Sequence, residues 1–205
     1  MKRNISERII KPENCAVAFG IPTSKQAFER DGSDEVANKE FAKLYRWAWG
    51  KFEAEIVNPF EKVVPVITGL GVEVCAEATL EDFGQLVRNE RFDVVVLFSH
   101  WGDESIEFHD GFAQVPSIIE KIPSDFDRIL DLSVCHPKSL VEALRRERPD
   151  CLIRHIELEK EVTPGIWMYF YLALFKHLKH SDVTYLKALL DVIEAFLKIK
   201  RGSKP

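Results

Sequence analysis

Apolar residues along this chain follow two rhythms. Short unbroken runs alternate with stretches in which apolar positions recur every three or four residues. The first run is Cys15-Ala16-Val17-Ala18-Phe19-Gly20-Ile21, closed by Pro22. A continuous apolar run of this kind fits a parallel strand covered on both faces. A polar loop is expected over Arg30 to Asp34. After it, Ala37, Phe41, Leu44, Ala48 and Phe52 build one apolar helix face, with Trp47 and Trp49 beside it. Pro59 and Pro65 bracket an irregular or helical segment. Gly71 opens an alternating strand, Val72-Glu73-Val74-Cys75. Thr79 with Asp82 resembles a capping box, and Leu80, Phe83, Leu86 and Val87 form the buried stripe of the helix it starts.

The strongest strand signal is Phe92-Asp93-Val94-Val95-Val96-Leu97-Phe98, whose β-branched run predicts a central parallel strand. It ends at Ser99-His100-Trp101-Gly102. A second strong run, Ile129-Leu130-Asp131-Leu132-Ser133-Val134, ends at Cys135-His136-Pro137. A helix with Leu140, Val141 and Leu144 inward follows, and a fifth strand begins at Cys151-Leu152-Ile153. Two closing helices are lined by Trp167, Phe170, Tyr171, Leu174 and Leu178, and by Leu186, Leu189, Leu190, Ile193 and Phe196. Strands alternating with helices predict a parallel sheet between helical layers, with strands starting near residues 15, 72, 93, 128 and 151. One α/β domain over 1–205 is expected, with 1–13 and 201–205 loose.

Composition narrows the function. The 205 residues are 46% apolar, enough for a full core, and the net charge of −5 argues against a general nucleic-acid binder. No signal peptide and no membrane span of roughly 18 apolar residues is read. The four cysteines, at 15, 75, 135 and 151, form no C-x-x-C pair, so a reducing cytoplasm is expected. No G-x-G-x-x-G or Walker loop is present.

Ligands of such sheets bind outside the carboxyl ends of the strands. Two strands end there in His100 and Cys135. A cysteine of ordinary pKa, about 8.5, is mostly protonated at neutral pH, and an adjacent imidazole can take its proton and later protonate a leaving amine. Gly102 lies where a backbone N–H could meet a developing oxyanion. His100, His109, Cys135 and His136 carry donors that zinc accepts, but no two have the spacing of a structural zinc site. No metal and no cofactor is expected.

The stretch from Ala78 to Phe83, the strand Phe92 to His100, the segment Ile106-Glu107-Phe108-His109-Asp110-Gly111, the strand Ile129 to Cys135 and the helix Phe170-Tyr171-Leu172-Ala173-Leu174 together resemble the CHAT and caspase-like cysteine proteases. The resemblance covers about residues 71–198. It implies a three-layer sandwich with a mostly parallel central sheet, His100 and Cys135 as the catalytic dyad, and cleavage of a protein substrate. It also implies switching by a partner or sensor in a bacterial defence or regulated-death setting. Acidic residues near the end of the strand after the Cys, here Glu159 and Glu161, would bind a basic substrate side chain. Arg154, on the same strand, could instead favour an acidic one. The pattern departs from the family where Trp101 separates His100 from Gly102 and where His136-Pro137 follows Cys135. These departures fit the alternative, a pseudoprotease acting as a binding or regulatory module.

Overall fold

The computed structural model describes residues 5–33, 49–102, 104–135, 137–155 and 163–202. Five strands, β1 (Cys15–Phe19), β2 (Glu73–Cys75), β3 (Val94–Phe98), β7 (Ile129–Ser133) and β8 (Leu152–His155), form one sheet. Their order is β2-β1-β3-β7-β8, and every neighbouring pair is parallel. All five begin within one residue of the positions expected from the apolar runs. A smaller antiparallel sheet, β4 (Trp101–Gly102), β5 (Ser105–Phe108) and β6 (Gly111–Gln114), follows β3.

Side chains alternate along a strand, so each central strand feeds two cores. Cys15, Val17, Phe19, Val94, Val96, Phe98 and Ile129 face one helical layer. That layer is built from α2 (Trp49–Phe52), α3 (Asn58–Gly69), α7 (Pro164–His180) and α8 (Tyr185–Gly202). Ala16, Ala18, Val95, Leu97, Leu130 and Leu132 face the other layer. There lie α4 (Leu80–Arg88), α5 (Val115–Lys121) and α6 (Lys138–Glu147), with the small sheet. The architecture is α/β, a parallel sheet flanked by helices on both sides, as in a three-layer sandwich. Residues 94–98 are all buried, which explains why that run carries no polar alternation. Each such side chain contributes about 1.5–3 kcal/mol of hydrophobic free energy.

Local chemistry fixes the helix starts. The capping box at α4 is complete: Thr79 Oγ1 accepts from the Asp82 N–H at 3.0 Å, and Asp82 Oδ2 accepts from the Thr79 N–H at 2.9 Å. Between α2 and α3 the helical path continues through a π-helical turn, Glu53–Val57. Pro59 has no N–H to offer the Glu55 carbonyl. Gly165 at the start of α7 sits against that carbonyl, where a Cβ would come within 2.7 Å.

Four expectations are corrected. Residues 5–13 are not loose: Ile10 is fully buried, Ile5 nearly so, and Ile9 bridges to Thr184. Their apolar side chains found a place under α7 and α8 that polar neighbours concealed in the sequence. At the other end, α8 continues through Gly202. The polar stretch from Arg30 is the end of a helix, α1 (Lys25–Ser33), in which Ser24 Oγ accepts from the Ala27 N–H at 3.1 Å and Phe28 packs on Trp49 and Phe52. Leu190, expected inward on α8, is 56% exposed. Of the helix face expected over 37–52, residues 37–48 lie outside the described residues.

Candidate functional site

The last rung between β3 and β7 pairs Phe98 with Ser133. His100 and Cys135 each follow two residues past that rung. The Ser99 N–H donates to the Ser133 carbonyl at 3.3 Å and keeps the two chains aligned beyond the strands. Both residues therefore leave the sheet at its carboxyl edge, from neighbouring parallel strands. Cys135 is exposed, whereas Cys15 and Cys151 are buried and Cys75 is half-buried. Burial pushes the Cys15 and Cys75 thiols up, and that of Cys151 up to about 12. These three are poor nucleophiles.

His100 is half-buried. Loss of water around its ring pushes its pKa down to about 4. At pH 7 the imidazole is therefore neutral, and desolvation of its protonated form makes it a weaker proton acceptor than an exposed histidine.

The small sheet holds the His100 backbone. Trp101 pairs with Ile106 and Gly102 with Ser105. The ladder extends one step further, where the Glu107 N–H donates to the His100 carbonyl at 3.2 Å. Ser99 Oγ donates to the Glu107 carbonyl at 2.6 Å. Gly20, at the end of β1, permits this approach: a Cβ there would lie 2.3 Å from the Glu107 carbonyl oxygen. Glu107 itself is 2% exposed. It stands opposite His100, and directly opposed residues of an antiparallel pair share one face. Sequence reasoning passed over Ser99, Glu107 and Gly20. Their only signal is a glycine closing an apolar run and an acid set between two apolar hairpin residues. Gly102 is buried, and its carbonyl accepts from Ser105 Oγ at 2.8 Å.

Beyond β1 and β2 a second polar group forms. Glu77, at φ 50°, accepts from Ser24 Oγ at 2.7 Å and Thr23 Oγ1 at 3.3 Å. His109 lies 3.6 Å from Glu77 Oε2, and Arg30 Nη1 is 2.8 Å from His109 Nε2. His109 thus belongs to this group. Among the described residues no set of three or more His, Cys, Asp or Glu could hold a metal ion.

Arg154 is where the sequence reading needs correction. It does not face a substrate; it is buried under α7, with Asp131 bound to Nη1. Tyr171 and Tyr185 donate to the same carboxylate, at 2.8 and 2.5 Å. The guanidinium also stands over the rings of Trp167, Phe170 and Tyr171. Burial pushes both tyrosine pKa values up. Asp131 and Arg154 are partners across the β7–β8 rung, so strand parity sends both into the same core. Glu159, Glu161 and His136 lie outside the described residues.

No protein-family model matches this chain, and no curated protein matches it. Among the described residues no helix is long and apolar enough to cross a membrane.

Proposed function

We propose that this chain is a caspase-like cysteine endopeptidase of the CHAT type. The observation that carries the reading is the shared origin of His100 and Cys135, each two residues past one rung of neighbouring parallel strands. A further feature supports it: Cys135 is the exposed thiol of the four.

In this mechanism His100 takes the Cys135 thiol proton as Sγ attacks the scissile carbonyl carbon. Backbone N–H groups near Gly102 and Cys135 hold the oxyanion. The tetrahedral intermediate collapses as His100 protonates the leaving amine. Water, deprotonated by His100, then hydrolyses the thioester and returns the thiol. No cofactor enters these steps. Glu159 and Glu161 would bind a basic substrate side chain. A protein partner or sensor would switch the enzyme on in a cytoplasmic defence or regulated-death setting.

The second reading is a pseudoprotease that uses the same surface to bind a partner. Trp101 after His100, His136-Pro137 after Cys135, and the engagement of Gly102 within the hairpin favour it.

Peptide-library cleavage by the purified chain separates the two. The protease reading expects cleavage that Cys135→Ala and His100→Ala each abolish, with no further loss in the double variant, because the pair acts as a unit. Cleavage that survives Cys135→Ala would rule the mechanism out.

A further inference from the structure

Ser99 bonds to the supports of both His100 and Cys135. Its N–H donates to the Ser133 carbonyl at 3.3 Å, two residues ahead of Cys135. Its Oγ donates to the Glu107 carbonyl at 2.6 Å, on the hairpin strand that backs His100. The Glu107 N–H in turn donates to the His100 carbonyl at 3.2 Å. One residue of β5 therefore grips the Ser99-His100 dipeptide at two points, one on each side of the peptide bond that joins them.

The joint is dry, with Ser99 5% and Glu107 2% exposed. Water does not readily replace a hydroxyl-to-carbonyl bond in such a place. The end of β1 is shaped around it. The Gly20 N–H donates to the Phe98 carbonyl at 3.0 Å, which brings the backbone of Gly20 alongside. A Cβ on Gly20 would lie 2.9 Å from Ser99 Oγ, besides striking the Glu107 carbonyl. A donor on some other neighbour would satisfy that carbonyl equally well. Here the donor belongs to the residue next to His100, so the bond also fixes where the hairpin sits on the end of β3.

We infer that Ser99 is a positioning residue, whose hydroxyl locks the hairpin to the end of β3 and so sets where the His100 ring stands relative to Cys135. The hydroxyl is spent on the Glu107 carbonyl and takes no part in bond making. Burial holds the His100 ring at a pKa of about 4, and a hairpin free to shift would let water reach it. The consequence for catalysis rests on the protease reading. The hold on the ring does not.

NMR titration of the His100 ring tests this, with the resonance assigned by its loss in His100→Ala. The ring of the unmodified chain should titrate near pH 4. In Ser99→Ala its midpoint should rise by about one unit or more, toward the ordinary histidine value of about 6.5. Ile67→Val, a core variant near the C-terminal end of α3, should lower thermal stability and leave that midpoint in place. Labelling of Cys135 by a thiol-directed electrophile gives a second readout. Ser99→Ala should slow it about tenfold or more, in line with His100→Ala. A His100 midpoint unmoved by Ser99→Ala, or moved as far by Ile67→Val, would overturn the proposal. So would labelling slowed in His100→Ala but not in Ser99→Ala. Labelling unchanged in His100→Ala itself would instead remove the dyad reading, and the ring titration would still decide the role of Ser99.

Discussion

Strand β7 and the residues just past its end carry two ionisable side chains four residues apart, and they meet opposite fates. Asp131 is fully buried and satisfied by Arg154, Tyr171 and Tyr185. Cys135 is exposed beyond the strand's end. The first group spends its charge on holding β7, β8, α7 and α8 together. The second keeps its chemistry available at the sheet's carboxyl edge. What separates them is their surroundings: Asp131 faces the helical layer of α7 and α8, and Cys135 lies two residues past the last rung with its side chain exposed. A charged residue type alone therefore does not mark a site.

The contrast can be broken most sharply at the two residues themselves. Cys135→Ala should remove peptide cleavage, a loss of 10³-fold or more on the order seen when a nucleophile is deleted, with almost no change in thermal midpoint. Asp131→Ala should do the reverse to the fold. It leaves the Arg154 guanidinium buried without its counter-ion, at a cost of about 3–5 kcal/mol, read by urea denaturation. Equal stability losses for the two variants would erase the distinction.

A smaller effect is expected where the edge is braced. Gly20→Ala forces a methyl group against the Glu107 carbonyl, displacing the hairpin that holds His100. Overpacking of this kind costs about 1–3 kcal/mol. On the protease reading activity should fall further than stability, because the displaced residue would be the base. Activity loss no greater than that of a core variant with equal stability would argue against a bracing role.

The smallest effect is a pH dependence. His100 has a folded pKa of about 4, below its unfolded value of about 6.5. The unfolded chain then binds more protons between those values, so stability falls as pH drops through that window. Above about pH 6.5 the contribution is complete, and below about pH 4 it is gone. With the ring only half-buried, about 1–2 kcal/mol is expected. Chemical denaturation at pH 7 and pH 4 should show the difference, and His100→Leu should flatten it. A His100→Leu profile as steep as that of the unmodified chain would assign the dependence elsewhere.

How far the fold could be read from the sequence follows from which forces are local. Buried parallel strands need continuous apolar runs, so β1, β3 and β7 were plain, and with them the positions of His100 and Cys135. Thr79 and Asp82 announced α4 because a capping box is made within four residues. What stayed hidden depends on distant partners. Ile10 is buried only because it joins the core cluster that α7 and α8 share. Arg154 turns inward because Asp131, 23 positions earlier, lies on the neighbouring strand. Glu107 took its place from the hairpin's register, and Leu190 faces out because Leu189 and Val192 claim the core. The helix Lys25–Ser33 was missed since Gly32 and Asp31 read as a turn while Phe28 found aromatic partners beyond the segment.

The most direct test of the account is labelling with a thiol-directed peptide electrophile, read cysteine by cysteine by mass spectrometry. The other three cysteines, Cys15, Cys75 and Cys151, serve as internal comparisons. Modification at Cys135 should be far faster than at Cys15, Cys75 or Cys151, and slowed at Cys135 by His100→Ala. Cys135 labelling no faster than Cys75, or a rate unchanged by His100→Ala, would contradict it.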